Sequence, residues 1–296
     1  MAEEHFSYGG QAVIEGVMIR GRRGYATAVR LPSGEIEVSG HSWEPYTRRH
    51  RLLSLPIVRG TPALVDALVV GYRALIASAD AVSRGEGVKP PSAWHYALSI
   101  VIALGIVIFG FVLAPSAALE RLHLGSFAMN AMEGLVRLAA FVVFILVISR
   151  MPDMRRVFQY HGAEHKVIHA FENTGRYGVE EAAPFETLHQ RCGTSFIFMV
   201  LVVGILVHAV MGWPSFWWRL LSRLAVLPIV AGVAYELIKL AGARKSSRIL
   251  NVLVAPGMWL QRLTTREPSP DQVEVAIRAL DGALELDGVK VPAQPA

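Results

Sequence analysis

Residues 97–119 read ALSIVIALGIVIFGFVLAPSAAL, an apolar block without a formally charged side chain. A helix needs about 20 predominantly apolar residues to cross the hydrocarbon core of a bilayer, and this block is long enough to do so. The whole chain has the same character, since 53% of its 296 residues are hydrophobic and only 18% are charged. Such a composition is typical of a membrane protein rather than of a soluble domain.

Three further blocks predict spanning helices. Residues 193–218 are also free of formal charge, whereas residues 126–149 and 224–243 carry two charged side chains each. A fifth apolar stretch, residues 249–261, is short and is interrupted by a Pro-Gly pair, so it predicts a re-entrant or interfacial segment. We therefore expect a polytopic α-helical membrane protein with about four transmembrane helices.

The basic residues are distributed unevenly around these blocks. Of the 29 lysines and arginines, 11 lie in residues 1–96, 6 in residues 150–193 and 8 in residues 239–296, whereas the other two connections hold only 3. Cytoplasmic loops of membrane proteins carry such an excess of lysine and arginine. The pattern predicts a multi-pass protein of the cell inner (plasma) membrane with both termini in the cytoplasm. The expected partner of the basic residues is the lipid bilayer and not nucleic acid.

Three regions are expected along the chain: a small cytoplasmic α/β region (1–96), a transmembrane domain with a histidine-rich cytoplasmic loop at 150–193 (97–248), and a C-terminal region (249–296). In the first region, residues 32–34 predict a hairpin turn. An interfacial helix should run from Thr61 to about Ala79. The last region should contain the re-entrant or interfacial segment, a C-terminal amphipathic helix and a tail. Ser269 and Gln272 form the pattern of a capping box at the start of that helix.

The histidine-rich loop contains the string FQYHGAEHKVIHAFENTG (158–175), in which residues 161–165 spell His-x-x-Glu-His. On a helix, His161 and His165 lie on one face, one turn apart. Two imidazoles at that spacing can bind one Zn²⁺ or a similar ion, and Glu164 beside them could act as a general base. The motif is the inverse of the common zinc-protease motif.

Further metal ligands are expected from the string HQRCGTSF (189–196), where His189 and Cys192 lie three residues apart. Imidazole and thiolate are preferred ligands of zinc and the later transition metals. The expected cofactor is therefore a divalent transition metal, with zinc as the first choice. Glu236 in the fourth block is an alternative ligand, because a charge within a span usually has a partner or a task.

Two other glutamates are weaker candidates. Glu172 lies on the face of His165 but roughly 10 Å further along a continuous helix, too far to share its ion. Glu15 is the acidic residue of the glycine-rich string GGQAVIEGVMIRG (9–21), which predicts a strand whose backbone is closely approached, most simply by another strand.

Less specific interpretations of the same residues stay open. A histidine-rich helix beside a membrane can be a solvated surface, and a lone cysteine such as Cys192 is often a small buried apolar residue. Because both groups fall on the same side of the membrane in one loop, the pattern favours a metal site.

Five strings of this sequence resemble, in order, the motifs of the YqhQ-like bacterial membrane proteins, a family of unknown function: GGQAVIEGVMIRG, YHGAEHKVIHAFE, HQRCGTSF, YELIKLAG and APGMWLQRLTTREPSPDQVEVAIRAL. The resemblance covers nearly the whole chain. It implies a metal-dependent enzyme without an established reaction, and it supports these site positions: His161, Glu164, His165, Glu172, His189, Arg191, Cys192, Glu236 and Glu267. The chain departs from the family pattern at Gln190 and Phe171, where proline and tyrosine are usual, and neither change removes a candidate ligand.

The leading hypothesis is a metal-dependent membrane enzyme, hydrolytic in type, with its site at the cytoplasmic membrane interface. One alternative is an assembly or scaffold protein with a structural metal, which four protein ligands would favour. A metal or small-solute transporter is a second alternative, although the predicted spans contain no paired broken helices. The substrate stays open, and a homo-oligomer is compatible with these features.

Overall fold

The computed structural model describes residues 8–120, 122, 124–243, 247–289 and 291. The fold is mostly helical and contains one small four-stranded sheet near the N-terminus. Most of the predicted C-terminal tail lies outside the described residues, as do the first seven residues of the predicted α/β region.

The sheet is an antiparallel meander with strand order β1-β2-β3-β4. Its strands are β1 (Gly9–Val13), β2 (Gly16–Arg20), β3 (Gly24–Arg30) and β4 (Ile36–Ser42). The predicted hairpin turn joins β3 to β4, and Gly34 within it has a φ of +90°, which glycine adopts without a side-chain clash. The turn between β1 and β2 places Glu15 at a φ of +52°, a region that residues with side chains seldom occupy.

The helices follow in chain order: α1 (Tyr46–Arg49), α2 (Gly60–Gly85), α3 (Ala93–Val107), α4 (Ala114–Leu119), α5 (Ser126–Ile148), α6 (Pro152–Thr174), α7 (Val179–Ala182), α8 (Gly193–Ala209), α9 (Phe216–Ala243), α10 (Arg248–Thr264) and α11 (Pro270–Asp287). A π-helical segment, Ile108–Leu113, joins α3 to α4 without interruption. The predicted capping box at the start of α11 is present, with both of its hydrogen bonds.

Four helical runs are long and apolar enough to cross a membrane: α2, the joined run Ala93–Leu119, α5, and Phe216–Gly242 of α9. The last three correspond to predicted blocks. The most apolar part of Ala93–Leu119 has none of its residues buried inside the protein, so its apolar side chains face outward. An apolar surface of that extent is expected in contact with lipid rather than with water.

The third predicted span is wrong in its length. The apolar block 193–218 contains α8, which ends at Ala209 and has only 17 residues. Gly212, Trp213 and Pro214 follow in a non-helical connection, because proline disfavours the helical conformation of the residue before it. The residues after Ser215 belong to α9, which therefore begins earlier than the predicted block 224–243.

The predicted break in residues 249–261 is also wrong. Helix α10 continues through Pro256 and Gly257 without interruption. A Cβ on Gly257 would lie 3.2 Å from Ser195 of α8, so the small residue permits close contact of the two helices. Val254 packs in the same apolar cluster as Met199 and Val203 of α8, and this packing stabilises a helix that proline would weaken in isolation.

The sheet is covered by helices on both faces. On one face, Val13, Met18 and Tyr25 pack against Val70 and Ala74 of α2. The opposite face packs against α6 and α11, and the buried residues of that core include Val17, Ile19, Ala26, Ala28, Tyr160, Ala163, Val167, Ala276 and Leu280. Helix α2 therefore packs against the sheet from about Val70 onward.

The end of α11 is fixed to the sheet by one carboxylate. The oxygens of Asp287 accept hydrogen bonds from the backbone N–H groups of Arg22 and Arg23, at 2.7 and 2.8 Å, and from the Tyr8 hydroxyl at 2.8 Å. Segments from both ends of the sequence are thereby joined in one layered unit beside the apolar helices.

The first half of α2 meets α9 at a pair of glycines. A Cβ on Gly232 would clash with the carbonyl oxygen of Ile57, and a Cβ on Gly60 would lie 2.6 Å from Cα of Gly232. Ile57 itself has a φ of +69°, which is unusual for a β-branched residue. The segment before α2 is therefore held close against α9.

We expect Gly232→Ala to lower the stability of the protein, because the added methyl group displaces the Ile57 carbonyl. Overpacking of this kind costs about 1–3 kcal/mol. The measurement is the melting temperature of the purified protein in detergent. Gly105→Ala in α3 is the matched control, since no atom lies within 4 Å of its Cβ position and alanine favours helix. Equal melting temperatures for the Gly232 variant and the wild type would contradict the close α2–α9 contact.

Candidate metal centre

Helix α6 carries the His-x-x-Glu-His motif into the interior. Pro152 begins the helix, and Gly175 ends it in the left-handed conformation at a φ of +70°. A Cβ on Gly162 would clash with the carbonyl oxygen of Arg266, whose N–H donates to the Phe158 carbonyl at 2.9 Å. Glycine at this position lets the chain leaving α10 cross directly over the motif.

Three side chains bring one ligand atom each within 4.8 Å of one another: His161, His165 and Cys192. The two imidazole rings lie one helical turn apart with their centroids separated by 4.4 Å, as the motif predicts. Cys192 precedes the first residue of α8 and is buried, and its Sγ lies 3.3 Å from Nε2 of His161. The connection between α6 and α8 therefore ends beside the His-x-x-Glu-His motif.

Backbone carbonyls orient both imidazoles. Nδ1 of His161 lies 2.8 Å from the Thr264 carbonyl oxygen, and Nδ1 of His165 lies 2.5 Å from the Thr187 carbonyl oxygen. A carbonyl only accepts, so each Nδ1 carries the proton and donates it. In the neutral ring Nε2 then keeps its lone pair. Metal-binding histidines usually donate their other N–H group in this way, so the donor set fits a transition metal.

The pKa values of two of the three groups, Cys192 and His165, favour the forms that bind metal. Burial would raise the pKa of the Cys192 thiol, but the charges and hydrogen bonds of His161 and His165 hold it well below its usual value. Burial lowers the pKa of His165, which favours its neutral form. Burial acts in the same direction on His161, but its contact with Cys192 outweighs this and raises the pKa of His161 to about 9. A thiolate beside imidazoles is a metal-binding arrangement, and a bound cation would displace the proton of His161.

Glu164 lies beside the three ligand atoms. Its Oε1 accepts a hydrogen bond from the Gly10 N–H at 2.9 Å, and its Oε2 lies 3.5 Å from Nε2 of His165. A Cβ on Gly10 would clash with the Met18 carbonyl, so strand β2 is the close neighbour of this glycine, as the sequence pattern predicts. Burial raises the pKa of Glu164, which makes its carboxylate a stronger base.

His189 lies next to this group but outside it. Its ring centroid is 5.5 Å from that of His165 and 4.8 Å from that of His169. Its Nδ1 accepts a hydrogen bond from the Arg191 N–H at 3.3 Å, and its Nε2 lies 3.8 Å from Oε2 of Glu172. Three of the four predicted ligands thus come together, and the fourth is turned toward other partners.

The remaining predicted site residues form ion pairs. Glu172 pairs with Arg191, and although burial would raise the pKa of Glu172, His189 and Arg191 lower it to about 2. The other three pairs are Glu236 with Arg59, Glu15 with Arg156, and Glu267 with Lys166. Glu236 is engaged by both Nε and Nη2 of Arg59, at 2.6 and 2.5 Å, so the proposed alternative ligand already has a cationic partner.

Sequence reasoning missed the groups that orient the ligands. The carbonyls of Thr187 and Thr264 have no side-chain signature, because any residue supplies the same oxygen. Gln261 exchanges two hydrogen bonds of 2.8 Å with the backbone of His189 and donates to Ser195 Oγ at 2.7 Å. The sequence did contain a signal for this residue, because a glutamine in the apolar stretch 249–261 needs hydrogen-bond partners wherever it becomes buried.

A protein-family model described as "Protein of unknown function (DUF1385)" matches residues 55–286. The chain belongs to this family. A relative from Bacillus subtilis (strain 168), "Uncharacterized protein YqhQ", is 34% identical over 299 residues, which cover 96% of this chain and 94% of the relative. No solved structure matches the chain. The resemblance found in the five sequence strings is thus confirmed at the level of the family, and neither name assigns a reaction.

We expect the protein, purified without a histidine tag, to bind about one transition-metal ion per chain, as one His/Cys site does. His161→Ala and Cys192→Ala should each reduce the metal content to near zero, because each removes one of only three ligand atoms. Elemental analysis of the purified variants measures this. His41→Ala, which removes an exposed histidine of β4, is the control and should keep the wild-type content.

The variant His189→Ala separates two kinds of site. A three-ligand site should keep about one ion per chain after this change, whereas a site with four ligands should lose it. Full metal content in both the His161 and the Cys192 variants would contradict the centre altogether.

Proposed function

We propose that the protein is a metal-dependent membrane enzyme of hydrolytic type, with its site at the cytoplasmic interface of the membrane. The observation that carries the proposal is the set of three ligand atoms from His161, His165 and Cys192. Catalytic zinc sites use three protein ligands and keep one position open, whereas structural zinc sites use four.

In this proposal, the three side chains hold a divalent transition metal, with zinc as the first choice because the donors are imidazole and thiolate. A zinc ion held there supplies Lewis acidity, which lowers the pKa of water to about 7 in known zinc enzymes. The hydrogen bonds to Thr264 and Thr187 hold both imidazoles in one tautomer and one orientation. Preorganisation of this kind is what a catalytic site requires.

Glu164 acts as the general base. The Gly10 N–H donates a hydrogen bond to Oε1 of Glu164 and so fixes the carboxylate. The other oxygen, Oε2, then lies 3.5 Å from Nε2 of His165. There it would accept a proton from an attacking water and later return it to the leaving group. Burial raises the pKa of Glu164, which brings this carboxylate closer to the range useful for proton transfer near neutral pH.

The membrane position of the site is supported by the order of the elements. Helix α6 begins at Pro152, directly after α5 ends at Ile148, and α8 begins one residue after Cys192. The centre therefore lies where the apolar helices end, on the side that contains most of the basic residues. With the positive-inside rule, this side faces the cytoplasm.

A scaffold with a structural metal is the second candidate function. It is favoured by the neighbourhood of His189, whose ring lies 5.5 Å from that of His165 and could supply a fourth ligand after a side-chain rotation. Four protein ligands would close the site to substrate.

Glu164→Gln is expected to keep the fold and the metal but to abolish cellular function. The glutamine oxygen can still accept the hydrogen bond from Gly10, whereas the amide cannot take a proton as a base. Complementation of a deletion strain, metal content and melting temperature are measured on one series of preparations. Glu180→Gln, at an exposed position of α7, serves as the control and should complement. Full complementation by the Glu164 variant would exclude it as the base.

The topology is tested by cysteine labelling of intact cells with a membrane-impermeant thiol reagent. Asn173→Cys in α6 should stay unlabelled, and Leu124→Cys before α5 should react, because the two exposed positions lie on opposite sides of the proposed membrane. The wild type provides the blank, since its one cysteine is buried. Reaction at position 173 from outside would reverse the orientation.

A further inference from the structure

A second polar cluster lies at the other end of the apolar helices. Glu133 is about 15 residues before the end of α5, which corresponds to roughly 20 Å along the helix axis. The candidate metal centre lies beyond the end of α5, so the two sites occupy opposite ends of this helix. The cluster also includes residues from the start of α9 and from α4, and it has no role in the proposed reaction.

Glu133 is the centre of this cluster. Its side chain is 1% exposed, and its carboxylate accepts hydrogen bonds from Ser116, Arg137 and Arg223. Arg223 also donates to Asn130 Oδ1 at 2.9 Å, and Asn130 donates to the Met211 carbonyl at 2.7 Å. One carboxylate thus pairs with two guanidinium groups.

Arg219 adds a third guanidinium group to the cluster. It is 3% exposed, and its Cζ lies 4.0 Å from the centre of the Trp213 ring. Its Nη1 makes a long contact of 3.5 Å to the Pro214 carbonyl, and its buried Nη2 has no hydrogen-bond partner among the described residues. Glu133 and Glu120 both act electrostatically on Arg219, but Glu133 already pairs with two other arginines and Glu120 is exposed to solvent.

The charges of the cluster do not balance. Arg137, Arg219 and Arg223 carry three positive charges against the single negative charge of Glu133, a formal excess of two. Two more buried nitrogens near this cluster, Arg137 Nε and His208 Nε2, also have no partner within the described part of the chain. Uncompensated charge in an apolar region is costly, and unpartnered buried donors are uncommon, so an anion is the missing component.

We propose that this arginine cluster binds the phosphate group of a ligand, with Arg219 as the principal donor. The planar fork of arginine matches phosphate oxygens, and a phosphate would supply acceptors for the unpartnered Nη2. Trp217 and Trp218, next to Arg219, are 74% and 67% exposed. Exposed tryptophans mark the headgroup level of a membrane. This depth makes the headgroup phosphate of an anionic phospholipid the expected source.

The test uses the full-length protein in detergent. Native mass spectrometry measures retention of phosphatidylglycerol, and a glucosyl diacylglycerol without phosphate is the comparison lipid. Wild type should retain phosphatidylglycerol selectively.

Arg219→Gln should weaken that binding by about tenfold, the effect of losing one charge-assisted hydrogen bond. Arg219→Lys should keep part of it, because it preserves the positive charge. Arg278→Gln in α11 is the matched control, since it removes an exposed arginine far from this cluster, and it should bind like the wild type.

Other outcomes are equally decisive. Equal retention of both lipids by the wild type, together with no effect of inorganic phosphate on its melting temperature, would overturn the proposal, and this result does not depend on the folding of any variant. Unchanged binding by Arg219→Gln would overturn it as well. If inorganic phosphate raises the melting temperature of the wild type but not of Arg219→Gln, and phosphatidylglycerol is not retained, the phosphate site stands and its source is a soluble phosphate. Metal content should be unchanged in the Arg219 variants, so the result is separate from that of the metal centre.

Discussion

The contact between His161 Nε2 and Cys192 Sγ is the interaction on which the candidate site depends. It joins α6 to the start of α8 in a buried environment, where a polar atom without a partner is costly. The backbone fixes both residues of the contact. The Thr264 carbonyl accepts a hydrogen bond from Nδ1 of His161, and helix α8 begins at the residue after Cys192. Gly162 makes this possible, because it lets the chain that carries Thr264 pass directly over α6.

The small sheet completes the same site from the other side. Gly10 donates its N–H to Glu164, and the β1–β2 turn places Glu15 against Arg156 and Tyr160 of α6. Glu15 adopts an unfavourable backbone conformation there, which its two partners on α6 stabilise. The sheet thus has a functional reason to pack on α6: it orients the carboxylate that the proposed chemistry needs, and it covers the motif.

The two ends of the apolar helices handle buried charge differently. Near the metal centre, charged residues such as Glu172 and Lys166 have partners of opposite sign, namely Arg191 and Glu267. At the far end, three arginines share one glutamate. A charge that protein groups balance needs no ligand, whereas an excess of buried positive charge does. The contrast supports a separate role for the far end.

Features that local physics controls could be predicted from the amino-acid sequence. Block length and composition predicted the long apolar helices, Gly34 and Ser269 marked a turn and a cap, and helical periodicity placed His161 beside His165. Tertiary structure alone decided that α8 ends at Ala209, that α10 runs through Pro256, that Arg59 pairs with Glu236, and that His189 turns away from the ligand group. Each of these depends on contacts between residues far apart in the chain, such as Gly257 against Ser195 or Gln261 against the backbone of His189. Local periodicity contains no information about such contacts, because packing and the need to pair every buried polar group are satisfied only when distant segments meet.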